Sequence, residues 1–392
     1  MRLLASTTAG TGHFEPMLPV LRACADAGHE VLVACLDSFV DQVDRAGLAC
    51  APFDDAPGDK MAAVFSRLPG MSYDDGNRVV IGDVFATLDT DAALPRLSAT
   101  VARWRPHVIV RDPSEYASWL LAERDGVPLV RVAIGLLSSD PHVARIAAQA
   151  LATAAERNGL SPHPDENRLN HGPVIAAGPA VFDPPDGLDP RTVHRYAPAP
   201  TSAKQASDKH PMGDEPLVYV TFGTVAAAIG LWPKAYRSIT DALADLPVRV
   251  LLTTGLGVDT SEIGPLPPRM AVTEFLAQET VLAHASVMVT HGGYGSVLGG
   301  LRAGVPMVVT PMFADQRDNA ARVASVGAGV HVQPSPEPME VSPALGPAVS
   351  AAVLRLLGDG DVRVAAQQLA RDMAAQPPVD SVVSVITGTV ES

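Results

Sequence analysis

The sequence predicts an α/β protein made of two doubly wound domains of nearly equal size. A chain of 392 residues is too long for one ordinary hydrophobic core. Along most of it, short apolar runs alternate with amphipathic stretches, a pattern typical of parallel strands covered by helices. The pattern restarts at Leu217, after a segment rich in proline and aspartate, so we expect two sheets rather than one.

In the first half, apolar runs predict four strands, at Arg2–Ser6, His29–Cys35, Val108–Val110 and Leu129–Val132. Amphipathic stretches predict three helices, at Met17–Ala27, Ser38–Ala46 and Glu115–Arg124. Residues 53–83 and 135–173 carry no clear strand signal, the second of them being an Ala-rich helix and a polar loop. Loops on a rigid scaffold commonly carry specificity, so both segments are candidates for substrate binding. Surface excursions without a function explain them equally well.

The second half predicts five strands, at Leu217–Phe222, Val248–Thr253, Val287–Thr290, Met307–Thr310 and Gly329–Val332. The helices predicted between them are Pro233–Ala244, Ser296–Ala303 and Asp315–Ser325. We therefore expect a first domain over 1–197, a linker over 198–215, a second domain over 216–375 and a tail over 376–392 that returns toward the first domain. Domains of this kind bind ligands at the carboxyl ends of their strands, so we expect the two to face a central cleft.

Composition and charge exclude several classes of partner. The formal net charge is -14, which disfavours nucleic acid and anionic membrane surfaces. No apolar run approaches the roughly 20 residues that span a bilayer, and the N-terminus lacks signal-peptide architecture. The three cysteines fit neither a zinc site nor a disulfide framework. These features predict a cytoplasmic protein with free thiols.

The first candidate motif is the turn from Thr8 to Pro16, between the first strand and the first helix. Glu15 stands where a dinucleotide fingerprint requires its third glycine, which argues against a nicotinamide-dependent enzyme. We expect His13 at a helix N-terminus, where the helix dipole keeps the ring neutral and able to accept a proton. A lone loop histidine is also often only a hydrogen-bonded polar residue.

Asp112 follows the strand Val108–Val110, at the same sheet edge as the turn that carries His13. Its carboxylate could reach the ring and fix the tautomer of a general base. Capping of the helix after Pro113 is an equally sufficient reason for an aspartate there. Both roles stay open on sequence grounds.

The second candidate motif runs from Thr290 to Ser296, again between a strand and a helix. Its three glycines, Gly292, Gly293 and Gly295, expose backbone N–H groups that suit phosphate oxygens. His291 and Ser296 add side-chain donors, and Gly223 with Thr224 could add more from the end of another strand. Asp315 and Gln316 open a helix and together suit sugar hydroxyls. No Walker A lysine loop is present.

One motif is a decoy. Asp89-Thr90-Asp91 has the D-x-D shape that metal-dependent transferases use for a divalent cation. It lies in an amphipathic stretch that runs to Trp104, with no third ligand nearby in the sequence. A solvated helix face explains it, and we expect no metal site.

Taken together, these motifs resemble glycosyltransferase family 1, whose members have the GT-B fold of two Rossmann-like domains. The resemblance rests on Gly12-His13-x-x-Pro16, on Val110-Arg111-Asp112, on Phe275 to Gln278, on His291 to Gly293, on Gly304 to Pro306 and on Asp315-Gln316-x-x-Asn319. It covers nearly the whole chain. The chain looks most similar to actinobacterial enzymes that attach deoxysugars to polyketide, enediyne and macrolide aglycones.

The resemblance implies an inverting transfer without a metal or other cofactor, from a nucleotide sugar to a small hydrophobic acceptor. It makes His13 the base and Asp112 its partner. Phe275 would stack on the pyrimidine, with Gln278 also at the donor. His291 and Ser296 would hold the diphosphate with help from Gly223 and Thr224, Asp315 with Gln316 would bind the sugar, and Phe14 and Gly135 are assigned to the acceptor.

Gly299 departs from the family pattern, because many UDP-glucose-using members carry a ribose-binding glutamate there. This favours a TDP-sugar over a UDP-sugar, since TDP lacks the 2′-hydroxyl. A GT-B nucleotide-sugar 2-epimerase and a non-catalytic helper that binds sugar nucleotide or aglycone remain as alternatives. Association as a homodimer stays open.

Overall fold

The computed structural model describes residues 1–160, 163–198, 215–224, 230–333, 335 and 340–391. The chain divides into two compact units. Unit 1 comprises Met1–Pro198 with Gln376–Ser392, and unit 2 comprises Ala199–Ala375. Most of the predicted linker 198–215 lies outside the described residues.

Unit 1 contains a seven-stranded sheet in the order β3-β2-β1-β4-β5-β6-β7, and every described pairing is parallel. Its strands are β1 Arg2–Ser6, β2 Glu30–Leu36, β3 Ala49–Phe53, β4 Val108–Arg111, β5 Leu129–Val132, β6 Val174–Ala176 and β7 Val193–Arg195. The order reverses next to β1, so β1 and β4 are neighbours although about a hundred residues separate them. The residues that follow these two strands therefore emerge side by side at one sheet edge.

The helices of unit 1 are α1 Thr11–Phe14, α2 Leu18–Asp26, α3 Val40–Arg45, α4 Gly58–Phe65, α5 Tyr73–Val79, α6 Thr90–Trp104, α7 Tyr116–Asp125, α8 Asp140–Arg157 and α9 Glu166–Leu169. A π-helix, Val80–Asp89, joins α5 to α6 without a break. The segment 53–83, which carries no clear strand signal, contains no strand beyond Phe53, and α4, α5 and the start of the π-helix fill most of it. Packing of the π-helix against α8 outweighs the local abundance of Gly, Pro and Asp.

Unit 2 contains a six-stranded sheet in the order β10-β9-β8-β11-β12-β13, and its described pairings are all parallel. Its strands are β8 Leu217–Thr221, β9 Arg249–Thr253, β10 Met270–Thr273, β11 Ala285–Thr290, β12 Met307–Val309 and β13 Gly329–His331. Its helices are α10 Lys234–Leu243, α11 Gln278–Leu282, α12 Tyr294–Ala303, α13 Gln316–Ser325, α14 Leu345–Gly358 and α15 Gly360–Ala374. The prediction of two doubly wound α/β domains is confirmed.

The last helix, α16 Ser381–Glu391, packs on unit 1. Val382 and Ile386 are buried in the core of that unit, against a layer that includes α2 and β4. The backbone N–H of Ala197 donates to the carbonyl of Pro377 at 2.7 Å. Burial of each such aliphatic side chain stabilises the packing by roughly 1.5–3 kcal/mol.

Within the described ranges, no helix is long and apolar enough to cross a membrane. The three cysteines are free thiols. Burial raises the pKa of Cys24 to about 12, so that thiol stays protonated at neutral pH.

Candidate functional site

The loop after β1 places His13 at the carboxyl edge of the unit 1 sheet. His13 is the third residue of α1, a helix of only four residues, and α2 begins at Leu18. The helix expected at His13 is thus a single turn, separate from the longer α2. A single turn has almost no macrodipole, so the helix dipole does not account for the state of this ring.

Asp112 lies directly after β4, and its carboxylate faces His13. The distance from Nδ1 of His13 to Oδ1 of Asp112 is 3.3 Å. The other carboxylate oxygen accepts hydrogen bonds from the backbone N–H of Thr8 at 2.9 Å and the hydroxyl of Thr7 at 3.2 Å. The backbone N–H of Ser114 donates to Oδ1 at 2.6 Å. The carboxylate is thus held from both strand ends.

These contacts keep Asp112 ionised although its side chain is fully buried. Burial opposes ionisation, but the His13 ring at 3.3 Å and the hydrogen bonds from Thr8 and Ser114 outweigh it and lower the pKa of Asp112 to about 2. A buried anion beside an imidazole fixes the ring orientation and stabilises a positive charge on it.

The cap of α7 is Glu115, not Asp112. Both carboxylate oxygens of Glu115 accept from the backbone N–H of Ser118, at 3.2 and 3.1 Å. Arg111, itself buried, donates to the carbonyls of Glu115 at 2.8 Å and Pro113 at 2.7 Å, which fixes the turn that carries Asp112. Helix capping, the competing explanation for Asp112, is therefore supplied by a different residue.

The two residues assigned to the acceptor lie in different settings. Phe14 is 2% exposed and packs edge-to-face on Phe39, with ring centroids 5.7 Å apart. That assignment is wrong, because the Phe14 ring belongs to the core of unit 1. Gly135 lies shortly after β5 at the carboxyl edge and is partly exposed.

The aromatic side chain that contacts His13 is Phe85, which sequence reasoning missed. Its ring centroid lies 5.5 Å from that of His13. Phe85 belongs to the π-helix, within a segment whose composition hides any periodic signal. The partly exposed ring supplies an apolar surface next to the imidazole.

The D-x-D segment divides between two environments. Asp91 forms an ion pair with Arg157 at 2.6 Å and accepts from the side-chain amide of Asn158 at 2.9 Å. Asp89 is partly buried, so the expectation of a solvated helix face is wrong for this residue. Burial is the main cause that raises its pKa to about 7, followed by the charge of Glu115, while His13 acts in the opposite direction.

In unit 2, two strands end in the same local turn. The backbone N–H of Gly223 donates to Oγ1 of Thr221 at 3.3 Å, and the N–H of Gly292 donates to Oγ1 of Thr290 at 3.3 Å. Strands β8 and β11 are neighbours, with Thr221 paired to Thr290. Both glycines have positive φ, 72° and 92°, which places them in the region that favours glycine. The two turns therefore lie side by side at the carboxyl edge.

His291 fills the space between these turns. A Cβ on Gly223 would lie 2.9 Å from Nε2 of the His291 ring, and a Cβ on Gly293 would lie 2.6 Å from it. The absence of side chains at Gly223 and Gly293 makes room for the imidazole. Burial lowers the pKa of His291 to about 4, against a backbone hydrogen bond to Thr221 that raises it. The ring is therefore neutral near pH 7.

The remaining residues of this motif lie at the first turn of α12. Gly293 is its N-cap, and Ser296 is partly exposed. A Cβ on Gly295 would meet no atom within 4 Å, so open space adjoins the helix start. A Cβ on Gly292 would lie 2.6 Å from Cγ1 of Val309, so this glycine is required by packing. The N–H groups of this turn offer an anion site.

Phe275 lies on the loop after β10 and is 57% exposed. Its neighbour in space is the loop after β9, since the N–H of Gly257 donates to the Glu274 carboxylate at 2.9 Å. That loop carries Leu256, which is 68% exposed. Two exposed apolar side chains on neighbouring loops suit a flat ligand face.

Gln278 begins α11 and reaches toward α12. A Cβ on Gly299 would lie 2.5 Å from Oε1 of Gln278, so the glutamine amide occupies the space beside this glycine. Its amide nitrogen lies 4.0 Å from the Met288 sulfur. Thr224 is exposed and lies close to Gly255, whose Cβ would be 3.3 Å from the Thr224 Cα.

Gln316 is 2% exposed, and its side-chain oxygen is already used. That oxygen accepts from the backbone N–H groups of Met312 at 2.8 Å and Phe313 at 3.0 Å. Only its amide nitrogen is left to reach a ligand. Asp315 is partly exposed and accepts from Asn319 at 2.9 Å, while Asn319 also donates to the carbonyl of Gly292 at 2.9 Å. Asn319 thus ties this turn to the His291 turn.

Two further observations concern other regions. Within the described residues, no group of three His, Cys, Asp or Glu side chains could hold a metal ion. A cavity of about 340 Å³ in unit 2 adjoins Ala285 and Pro306, at the amino end of the sheet and away from His291.

Comparison with known proteins gives matches over both units. A family described as UDP-glucoronosyl and UDP-glucosyl transferase matches residues 192–341, and the N-terminal domain of an erythromycin biosynthesis protein CIII-like family matches residues 22–172. The elloramycin glycosyltransferase of Streptomyces olivaceus is 31% identical over 347 residues, covering 84% of this chain and 85% of its own. The L-demethylnoviosyl transferase of Streptomyces niveus is 30% identical over 396 residues, covering 96% and 95%. The crystal structure of the kitacinnamycin glycotransferase is 26% identical and covers 99% of both chains with a TM-score of 0.79.

Proposed function

The chain belongs to the natural-product glycosyltransferases of the GT-B fold, which transfer sugars from nucleotide sugars, and we propose that it uses a His13–Asp112 pair to glycosylate a hydroxyl group of a hydrophobic acceptor. The observation that carries this proposal is the 3.3 Å contact between Nδ1 of His13 and the buried carboxylate of Asp112. Because Nδ1 faces the carboxylate, we assign Nε2 as the nitrogen that accepts the proton.

The transfer step follows from this arrangement. Nε2 of His13 takes the proton of the acceptor hydroxyl, whose oxygen forms a bond to the anomeric carbon while the bond from that carbon to the diphosphate oxygen breaks. The configuration at the anomeric carbon is inverted, because attack and departure occur on opposite faces. Asp112 stabilises the resulting imidazolium. Phe85 offers an apolar surface beside the base, which suits a hydrophobic acceptor, and the partly exposed Gly135 is proposed for the same ligand.

The leaving diphosphate requires stabilisation of negative charge. In unit 2 we assign this to the N–H groups at the start of α12, to Ser296 and to the neutral ring of His291, with Thr224 on the neighbouring turn. Preorganised donors of this kind stabilise charge that develops in the transition state. We propose that they do so without a metal or other cofactor.

For the donor, we propose a TDP-sugar in preference to a UDP-sugar. Phe275 would stack on the base, and Asp315 with the amide nitrogen of Gln316 would contact the sugar. The space at Gly299, where a ribose-binding glutamate would extend, is occupied by the Gln278 amide. Loss of one hydroxyl partner is worth about 1 kcal/mol, or roughly fivefold in affinity. Calorimetric titration with TDP and UDP tests this preference, and equal affinities would contradict it.

The experiment that tests the function is a transfer assay read by mass spectrometry. TDP- and UDP-sugars are incubated with a panel of hydrophobic aglycones, and product masses are compared for the native chain and for His13→Ala. We expect loss of turnover by about 10²–10⁴-fold, the usual contribution of a general base, with nucleotide binding retained. His163→Ala is the matched control, because that exposed histidine of unit 1 lies outside the proposed site. Turnover by His13→Ala at the native rate would refute the base assignment.

A further inference from the structure

A third carboxyl group of unit 1, that of Asp89, interacts electrostatically with both His13 and Asp112. Asp89 is the last residue of the π-helix and follows Phe85 by four positions, less than one turn of a helix with i→i+5 hydrogen bonds. Phe85 contacts the His13 ring, so Asp89 is carried on the same side of the helix. Across the described ranges of the chain, its carboxyl has no hydrogen-bond or ion-pair partner.

The π-helix is fixed in this place by its own side chains. The hydroxyl of Thr90 donates to the carbonyl of Phe85 at 2.8 Å, and that of Thr87 donates to the carbonyl of Gly82 at 2.8 Å. Both bonds reach back five residues, which matches the wider turn of this helix. π-Helical turns between α-helical segments are frequently found at functional sites. Here the widened segment joins α5 to α6 and brings Asp89 toward the base.

The ionisable groups that act on Asp89 come from three separate elements. Glu115 and Asp112 lie on the turn between β4 and α7, His13 lies on α1, and Asp55 follows β3. Among these four, only His13 can carry a positive charge. Arg157 of α8, the long helix packed on the π-helix, is engaged by Asp91. An unpaired carboxyl among three other acids therefore has the imidazole as its one favourable partner.

We propose that Asp89 is a positioning residue that acts through His13, holding a proton on the imidazole when Asp89 is ionised and releasing it when Asp89 is protonated. The proposal rests on the proposed function, in which His13 is the base. Electrostatic coupling between two titrating groups is reciprocal. If a charged His13 favours ionisation of Asp89, then an ionised Asp89 favours protonation of His13 by the same free energy. Because burial and Glu115 raise the pKa of Asp89 to about 7, its charge changes in the neutral range.

The consequence for transfer concerns the imidazolium formed as His13 takes the acceptor proton. Asp112 faces Nδ1 at 3.3 Å and is ionised throughout the neutral range. Ionised Asp89 adds a second negative charge, which makes His13 a stronger base and stabilises the charge that it gains. Protonated Asp89 adds none. The protons of His13 and Asp89 should therefore leave in two coupled steps.

The test is a proton NMR titration of the histidine rings in the full chain, with His13 assigned by the signal missing from His13→Gln. In the native protein we expect the His13 curve to be broader than that of a single independent group, because Asp89 changes its charge in the neutral range. In Asp89→Asn we expect one inflection, shifted to lower pH by roughly half to one unit, because the negative charge is gone. Asp89→Glu should restore the shift in part. The matched control is Asp91→Asn, which removes a carboxyl two positions away that pairs with Arg157 and should leave the curve unchanged.

The acid limb of kcat/KM should follow the same shift, toward lower pH in Asp89→Asn. An unchanged His13 titration in Asp89→Asn overturns the proposal, and so does a native curve no broader than that of one independent group, a measurement that needs no variant to fold. Native turnover in His13→Ala would instead refute the role of His13 as the base. The effect of Asp89 on the His13 titration could still be observed by NMR in that case. The two failures are thus distinguishable.

Discussion

Gly293→Ala should displace the His291 ring and weaken both unit 2 and its donor site. The added Cβ would lie 2.6 Å from Nε2 and 3.0 Å from Cε1 of His291, where ordinary contacts are about 3.4 Å or longer. The ring cannot simply retreat, because the Gly223 turn lies against it, at 2.9 Å from the corresponding Cβ position. Overpacking of this kind costs about 1–3 kcal/mol.

Urea denaturation measures the loss of stability, and calorimetric titration with TDP measures the donor site. Loss of one hydrogen-bond donor should reduce affinity by roughly 3- to 10-fold. A comparison within the same turn is Gly295→Ala, whose Cβ meets no atom within 4 Å. We expect it to leave stability unchanged or to raise it by about 1 kcal/mol, because alanine favours the helix.

The mechanism of the loss is tested in the His291→Ala background. There Gly293→Ala should cost less than about 0.5 kcal/mol, since the ring with which it collides is absent. If the substitution costs the same in both backgrounds, the glycine is required for another reason and the argument from His291 fails. Native stability and native TDP affinity in the single variant would refute it more directly.

Two further predictions concern single side chains. Phe275→Ala should weaken binding of the nucleotide by about 1–3 kcal/mol, the usual contribution of a stacked base. The melting temperature should not fall, because the ring is 57% exposed. Retained affinity in calorimetry would exclude stacking. Asp112→Asn should lower the free energy of unfolding by about 2 kcal/mol at pH 7, since the folded-state pKa of about 2 lies below the ordinary value of 3.8 and the side chain is fully buried. This stabilisation is present above pH 4 and is lost as the pH falls toward 2. The difference in free energy of unfolding between the native chain and the variant, measured by urea denaturation, should therefore begin to decrease below pH 4. A difference that does not depend on pH would show that charge is not its cause.

The sequence predicted the strands best where both faces of the sheet are covered. β1 and β5 have the predicted bounds, and β8 differs by one residue at its end, because buried parallel strands are continuous apolar runs. β3 was missed since Ala49-Cys50-Ala51-Pro52-Phe53 is short and contains proline, and it pairs on one side only, with β2. The helices α4 and α5 were missed because tertiary packing, not local propensity, stabilises them.

In the candidate site too, the sequence predicts what depends on strand order and misses what depends on helix type and side-chain direction. That the residues after β1 and β4 are neighbours follows from the order of strands in doubly wound sheets, which brings His13 and Asp112 to one edge. The places of Phe85 and Asp89 depend on a π-helix, and no residue pattern in 80–89 distinguishes a π-helix from an α-helix. Phe14 was misplaced for a related reason, since proximity to His13 along the chain does not determine which way a ring points.

The glycines of unit 2 show that one motif can contain residues with different physical roles. Gly292 has a positive φ and leaves no room beside Val309, and Gly293 leaves room for His291. Of these three, only Gly295 adjoins open space. If the turn holds a phosphate as proposed, we expect the approach at Gly295 rather than at all three glycines. Gly293 makes room for the His291 ring, so its loss should act on a ligand through that ring, whereas loss of Gly292 should act through the contact with Val309.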